Sequence, residues 1–149
     1  MTTIPDPVLI DIPREVEGSI RMVDAYGWWA GAFRRAEAAQ DPDYPELGIS
    51  AAPAMVRVSR NAIRSRLAAG AYATVPPDSI NAVRVVRLER VRPDLTYLEL
   101  CETDDTRYAD QPADPPTVRH SRVEAEVTWI RDTWWLTARE ERIDETCRT

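Results

Sequence analysis

The chain has 149 residues, of which 44% are apolar and 30% are charged, as is typical of one globular domain that folds without metal or disulfide support. Its net charge of −6 argues against nucleic-acid binding through the domain as a whole, because phosphate binding requires a cationic surface. The chain contains no lysine, which excludes chemistry that depends on a lysine amine.

The sequence also predicts no membrane span, no cofactor and no metal site. Residues 1–18 lack the basic region and apolar run of a signal peptide. No stretch approaches the roughly 18 uncharged apolar residues that a membrane helix requires. One histidine and two distant cysteines do not form a metal-ligand pattern. We therefore expect a cytoplasmic or virion-associated protein.

The N-terminal segment, residues 1–13, is predicted to be an extended arm. Its prolines at positions 5, 7 and 13 exclude a helix. The three consecutive apolar residues Val8, Leu9 and Ile10 are expected to be buried, either against their own domain or against a neighbouring subunit.

Two helices are predicted to follow the arm. Apolar residues recur at helical spacing from Arg14 to Gln40, where Asp41-Pro42 ends the pattern. The second helix is predicted to have Ser50 as its N-cap and Gly70 just past its end. It presents Val56, Ser59, Ile63 and Leu67 on one face, and Arg57, Arg60 and Arg64 on a neighbouring, solvated one.

Strands are predicted over residues 82–92, 96–103 and 118–139, the last as a hairpin that turns at 131–133. In the hairpin, apolar side chains alternate with polar ones at the period of two that a half-buried strand requires. The inward row consists of Val123, Ala125, Val127 and Trp129, followed by Trp134, Leu136 and Ala138. Residues 140–149 are predicted to be a charged tail.

Helices followed by antiparallel strands give an α+β fold. Several segments resemble actinobacterial members of the nuclear-transport-factor-2-like superfamily, also called SnoaL-like: Ala25-Tyr26 with Trp28-Trp29, Asp41-Pro42 with Pro45-Glu46-Leu47, the arginine-rich helix that ends at Gly70, Cys101 with Asp104-Asp105, and Asp132-Thr133-Trp134-Trp135-Leu136. The resemblance spans residues 14–139. It implies a cone-shaped roll, with N-terminal helices on a strongly curved antiparallel sheet of about four to six strands. It also implies a pocket at the open end of the cone and dimerisation through the outer face of the sheet.

The resemblance does not decide whether the two cysteines form a disulfide. Cys101 and Cys147 resemble a cysteine pair of exported relatives, which implies a disulfide. The absence of an export signal favours two free thiols instead. The chain also has Thr133 where the family often has glycine in the turn before its last strand.

Enzymes of this superfamily use an acid–base pair that projects into the cone, and four residues are candidates for it here. Glu102 is in phase with the inward Leu98 and Leu100, while Asp24 and Tyr26 lie on the long helix. For both carboxylates we favour a solvated position at the end of the helix or strand, because buried carboxylates are rare without partners. The fourth, His120, shares the outward row of the hairpin, so a surface position is favoured for it.

The aromatic residues allow two interpretations. Tyr26, Trp29, Trp129 and Trp134, together with Leu98 and Leu100, either line an open ligand pocket or fill the cone as core. We favour the filled cone. Trp28 and Trp135 fall out of phase with these rows and are predicted to contact a partner, as are Val8, Leu9 and Ile10.

Two functional hypotheses follow. The first is a non-catalytic interaction or assembly module that binds copies of itself or another protein, for example a subunit of a phage particle. The second is a small-molecule-binding protein, or a cofactor-free isomerase or dehydratase. The second hypothesis needs an empty pocket in which a carboxylate meets a tyrosine or the histidine.

Overall fold

The structure is a computed structural model that describes residues 9–11, 19–74, 81–108 and 118–148. Three helices, α1 (Ser19–Ala39), α2 (Pro45–Gly48) and α3 (Pro53–Ala68), precede the long strands. The strands are β1 (Leu9–Asp11), β2 (Ala73–Thr74), β3 (Asn81–Arg92), β4 (Leu95–Asp104), β5 (Arg107–Tyr108), β6 (Arg119–Ile130) and β7 (Thr133–Ile143), followed by a 3₁₀ turn at Glu145–Cys147. The α+β class predicted from the order of the elements is confirmed.

The main sheet is open, with strand order β1-β3-β4-β6-β7. The four long strands are antiparallel neighbours, while β1 runs parallel to β3, with Leu9 opposite Ala82. The backbone of the predicted arm therefore adds an edge strand to its own domain. Val8 lies outside the described residues. Strands β2 and β5 pair separately as a two-stranded sheet.

Helix α1 packs its apolar face against the sheet, with Met22, Val23, Tyr26 and Trp29 buried. It ends at Gln40, which adopts φ 54° and lets the Asp41 N–H donate to the Ala36 carbonyl at 3.0 Å. None of the helices in the described ranges is long and apolar enough to cross a membrane.

Helix α3 begins two residues later than the predicted cap implies. Its N-cap is Ala52 and Pro53 occupies the first turn. Ser50 is buried and its hydroxyl donates to the Leu47 carbonyl at 2.8 Å, so it closes α2 instead of capping α3. The prediction for Gly70 is confirmed, because this glycine follows the helix with φ +73°.

The β6–β7 hairpin departs from simple alternation. Its turn residues Arg131 and Asp132 have φ 51° and 65°, as a two-residue turn of this hand requires. Further along, Val127 lies opposite Leu136 but Glu126 lies opposite Ala138, so Thr137 is an extra, bulged residue. The bulge reverses which side chains face inward.

The inward position predicted for Ala138 is therefore wrong, because this residue is exposed. Beyond the bulge the inward row consists of Arg139, Glu141 and Ile143, which lie opposite the inward residues of β6. Strand β7 thus continues through the first part of the segment that was predicted to be a charged tail.

The predicted aromatic core is correct for Trp29 and Trp134, which are buried, as are Leu98 and Leu100. It is wrong for Trp129, whose side chain is 37% exposed. Trp129 is the second-last residue of β6, so it lies beside the hairpin turn at the end of the sheet. Only two of the three indole rings predicted for the core are therefore buried.

Candidate functional site

A cavity of about 430 Å³ lies between α1, α3 and one end of the sheet. Because the long strands are antiparallel, this end brings together the start of β3, the end of β4, the start of β6 and the end of β7. The sheet contributes Asn81, Glu102, Asp104, Arg119, Arg139 and Glu141 to the lining. The helices contribute Trp29, Ala30, Phe33, Arg34, Met55, Ser59, Ala62 and Arg66.

Three buried polar side chains meet beneath this cavity. The Tyr26 hydroxyl donates to Oε2 of Glu102 at 3.2 Å. Arg139 donates from Nε to the Tyr26 hydroxyl at 3.0 Å and from Nη2 to Oε2 of Glu102 at 2.8 Å. These residues come from α1, β4 and β7, so only the folded chain assembles the cluster.

Arg139 reaches Glu102 across an intervening strand. Arg139 of β7 lies opposite Ala125 of β6, whereas Glu102 of β4 lies opposite Ser121 of β6, so the Arg139 side chain extends diagonally over β6 to reach the carboxylate. The same guanidinium contacts Glu141 at 2.7 Å, and Glu141 also accepts a hydrogen bond from Ser121 at 2.9 Å.

Burial dominates the electrostatics of the cluster. Desolvation raises the pKa of Glu102 above its usual value, although Arg139 acts in the opposite direction. Desolvation also raises the pKa of Tyr26 far above its usual range, so the phenol stays neutral and remains a donor. Burial opposes the charge of Arg139, but its contacts with Tyr26 and Glu102 raise the pKa of this guanidinium overall.

Two polar atoms of the cluster remain open to a ligand. All contacts of the Glu102 carboxylate involve Oε2, so Oε1 accepts no hydrogen bond within the described part of the chain. Likewise, Nη1 of Arg139 makes no hydrogen bond or ion pair to a described residue. The cluster of Tyr26, Glu102 and Arg139 therefore offers the cavity one free carboxylate oxygen and one free guanidinium nitrogen.

An aromatic wall completes this end of the cavity. Trp29 stacks on Phe33 with ring centroids 5.1 Å apart and an interplanar angle of 15°. The Trp29 indole donates to the Ser59 hydroxyl of α3 at 2.9 Å, which holds its orientation. The Arg139 guanidinium carbon lies 4.9 Å from the Trp29 ring centroid, so charge and ring lie together.

The cavity is also lined by buried polar side chains that lack some of their hydrogen-bond partners. Arg34 is only 7% exposed, and its Nη2 lies 3.6 Å from Asp105, beyond hydrogen-bond distance. Within the described residues, Nε of Arg34 finds no acceptor and Oδ1 of Asn81 finds no donor. Such groups in a native structure suggest that water or a ligand completes them.

The structure brings together two of the four acid–base candidates. Tyr26 and Glu102 are in contact, whereas Asp24 is exposed and lines a different hollow, near the hairpin turn. His120 lies on the other face of the sheet, with its Nδ1 atom 3.4 Å from the Thr103 hydroxyl. Sequence reasoning missed Arg139, because a straight alternation through β7 places that residue outside.

The candidate interface residues lie in two places. Trp28 is 39% exposed and its ring lies 5.5 Å from that of Trp135. Leu9 and Ile10 belong to β1 at the opposite edge of the sheet from β7.

Cys101 and Cys147 form a disulfide in the structure. Cys101 lies on β4 beside Glu102 but on the outer face, so the bond ties the 3₁₀ turn to that face. Arg122 supports the same attachment by donating to Glu99 at 2.7 Å and to Asp144 at 2.9 Å.

No protein-family model, curated protein or solved structure matches the chain. Among the described residues, no group of three or more histidine, cysteine, aspartate or glutamate side chains could hold a metal ion.

Proposed function

We propose that the chain binds a small organic molecule in the 430 Å³ cavity and that Glu102 accepts a proton from it. Such a protein is a cofactor-free isomerase or dehydratase. The observation that carries the proposal is the free Oε1 of a buried carboxylate at the edge of an open cavity. A filled cone, the interpretation favoured from the sequence, would leave no room for a substrate.

The contacts of Glu102 divide its two oxygens between two roles. Tyr26 and Arg139 both donate to Oε2 and hold the carboxylate in one orientation, which leaves Oε1 to accept a proton. Desolvation raises the basicity of the carboxylate, as proton abstraction from carbon requires.

Arg139 supplies the complementary charge. Removal of a proton next to a carbonyl group places negative charge on the carbonyl oxygen, and a guanidinium N–H can stabilise that charge. Nη1 of Arg139 is available for this contact. Trp29 and Phe33 offer a flat apolar wall, which favours a substrate with a ring or another planar part.

The cone-shaped roll of the nuclear-transport-factor-2-like superfamily is part of the same proposal. It is supported by the long helix α1 on the inner face of the sheet and by the irregularities in β3 and β7, since bulges bend strands.

Turnover of 5-nitrobenzisoxazole tests the proposal. Removal of the single proton on its isoxazole carbon breaks the N–O bond and gives a coloured cyanophenolate, so a suitably placed base is sufficient. We expect saturable turnover at least about 10²-fold faster than with the same concentration of acetate. Glu102→Gln should abolish this turnover. The rate should increase with pH above the usual pKa of 4.5, because burial raises the pKa of Glu102.

Matched variants on α3 separate binding from catalysis. Ala62 lines the cavity, so Ala62→Trp should block both turnover and the quenching of tryptophan fluorescence by the probe. Ala54 is an exposed alanine of the same helix outside the lining, so Ala54→Trp should change neither. Quenching without turnover would refute the role of Glu102 as a base, and the absence of both would refute the proposal.

The assembly module is the second candidate function. It is favoured by the exposure of Trp28, Trp129 and Ile130, which are 39%, 37% and 40% exposed at one corner of the molecule. A strictly monomeric mass in sedimentation at micromolar concentration, with no change on dilution, would contradict it.

A further inference from the structure

A second hollow, of about 330 Å³, lies near the hairpin turn and the beginning of α1. On one side are Arg21, Asp24 and Trp28, which are spaced by three and four residues and therefore share a face of α1. On the other side are the hairpin residues Trp129, Asp132, Thr133 and Trp134. The hollow thus has aromatic walls and carboxylates at its rim.

The rings form a preorganised corner. Trp129 and Trp134 lie directly opposite each other in the hairpin, with centroids 5.4 Å apart and ring planes at 67°. Trp28 is supported from outside the hollow by Trp135, 5.5 Å away, whose indole N–H donates to the Ile130 carbonyl at 3.2 Å. A ligand would therefore not have to order these rings on binding.

The rim carries two carboxylates that form no ion pair with a described residue. Neither Asp24 nor Asp132 makes an ion pair within the described part of the chain. The protein's own cations nearby include Arg21, which lines the hollow without an ion pair to a described residue, Arg90, which lies 5.9 Å from the Trp134 centroid, and the turn residue Arg131 next to Asp132. Trp134 therefore already attracts a cation to its ring.

We propose that this hollow binds a methylated ammonium group, as carried by choline or by a trimethylated lysine. The faces of indole rings attract cations, and a quaternary ammonium has no N–H that would need an acceptor in the hollow. Two rings at a steep angle contact a round cation on two sides. A guanidinium is planar and stacks on only one ring. Asp24 and Asp132 add long-range attraction at the rim.

Isothermal titration with choline and with its uncharged isostere 3,3-dimethylbutan-1-ol tests the proposal. The two probes have nearly the same shape, so a difference in affinity reports the positive charge. We expect choline to bind at least about tenfold more tightly than the alcohol. Equal affinities, or no binding of choline, would overturn the proposal.

Three single-residue variants test whether choline binds in this hollow. Trp129→Leu should weaken choline binding at least about tenfold, and Trp129 is exposed enough for the variant to fold. Arg21→Gln should strengthen it, because the variant removes a competing cation from the lining. Tyr72→Leu removes an exposed aromatic ring elsewhere and should leave affinity unchanged. Unchanged binding in both Trp129→Leu and Arg21→Gln would place choline elsewhere and refute the site.

Peptides distinguish the source of the methylated ammonium. A short peptide with trimethyllysine that binds more tightly than free choline would indicate a protein partner, whereas the reverse would indicate a small metabolite. The unmethylated peptide should bind at least about tenfold more weakly than the trimethylated one, and equal binding of the two would contradict the proposed recognition.

Discussion

Replacing Arg139 with methionine should lower the free energy of unfolding by about 3–5 kcal/mol, the usual cost of removing one partner from a buried ion pair. The guanidinium is 15% exposed and contacts Tyr26, Glu102 and Glu141. Its removal leaves the buried Glu102 carboxylate without a cation. Urea unfolding of the wild type and the variant, monitored by tryptophan fluorescence, measures the difference.

The loss of unfolding free energy in Arg139→Met should depend on pH, and the direction of this dependence follows from the difference in the pKa of Glu102 between the folded and the unfolded chain. Without Arg139, the pKa of Glu102 in the folded protein rises further above its value in the unfolded chain. The variant therefore loses stability as the pH rises above the usual pKa of 4.5, so its deficit should be smaller at about pH 5 than at about pH 8.

Two further variants make this prediction specific. Glu102→Gln combined with Arg139→Met should recover part of the loss, because the unpaired charge is gone. Arg142 is an exposed arginine on the same strand that makes no hydrogen bond or ion pair to a described residue, so Arg142→Met should cost less than about 0.5 kcal/mol. A loss below about 1 kcal/mol for Arg139→Met would show that the guanidinium is not what compensates the Glu102 charge.

Breaking the Cys101–Cys147 disulfide should lower the free energy of unfolding by about 2–4 kcal/mol. The bond joins residues 46 positions apart, so its loss allows the unfolded chain many more conformations. Denaturant unfolding of the wild type with and without a thiol reductant measures the effect, and Cys147→Ser should reproduce it.

The structural change expected on breaking the disulfide is confined to the outer face of the sheet. Arg122 still bridges Glu99 and Asp144 when the bond is absent, so the strands should remain folded and only the residues after Asp144 should loosen. Hydrogen exchange should therefore increase first in residues 145–148. The Cys101→Ser, Cys147→Ser double variant should not respond to reductant. Two alkylatable thiols in the untreated wild-type protein would contradict the disulfide.

Periodicity was sufficient to predict the main elements of the fold. The helical spacing of Met22, Tyr26 and Trp29 and the alternation of Val123, Ala125 and Val127 report how a helix or strand buries one face, and all six are buried. The same rule put Glu102 in phase with Leu98 and Leu100, but the solvated position expected for its carboxylate is wrong, because Tyr26 and Arg139 supply it with buried partners. Regular local geometry can be inferred from sequence because neighbouring residues determine it.

The remainder of the site depends on irregular and long-range geometry. Arg139 faces inward only because Thr137 bulges, and nothing in the residue types around Thr137 marks the extra residue. The alternation along β6 places Trp129 on the same face as the core residues, but Trp129 lies beside the turn at the end of its strand. Alternation predicts the face of a side chain and does not predict whether the end of a strand is covered. Tyr26 and Glu102 are 76 residues apart, so their hydrogen bond follows from tertiary packing alone.

The bulge at Thr137 divides β7 into two halves with opposite inward parity. Before it, even-numbered side chains such as Trp134 and Leu136 face the core, and after it odd-numbered ones such as Arg139 and Glu141 lie on the same face of the sheet and line the cavity. Deleting the codon for Thr137 would leave a regular strand in which Arg139 still lies opposite Ala125 and faces the cavity. If Thr137 paired with Glu126 instead of bulging, Arg139 would lie opposite Glu124 and both charged groups would face outward, so the pairing register of the second half of β7 determines whether the site exists.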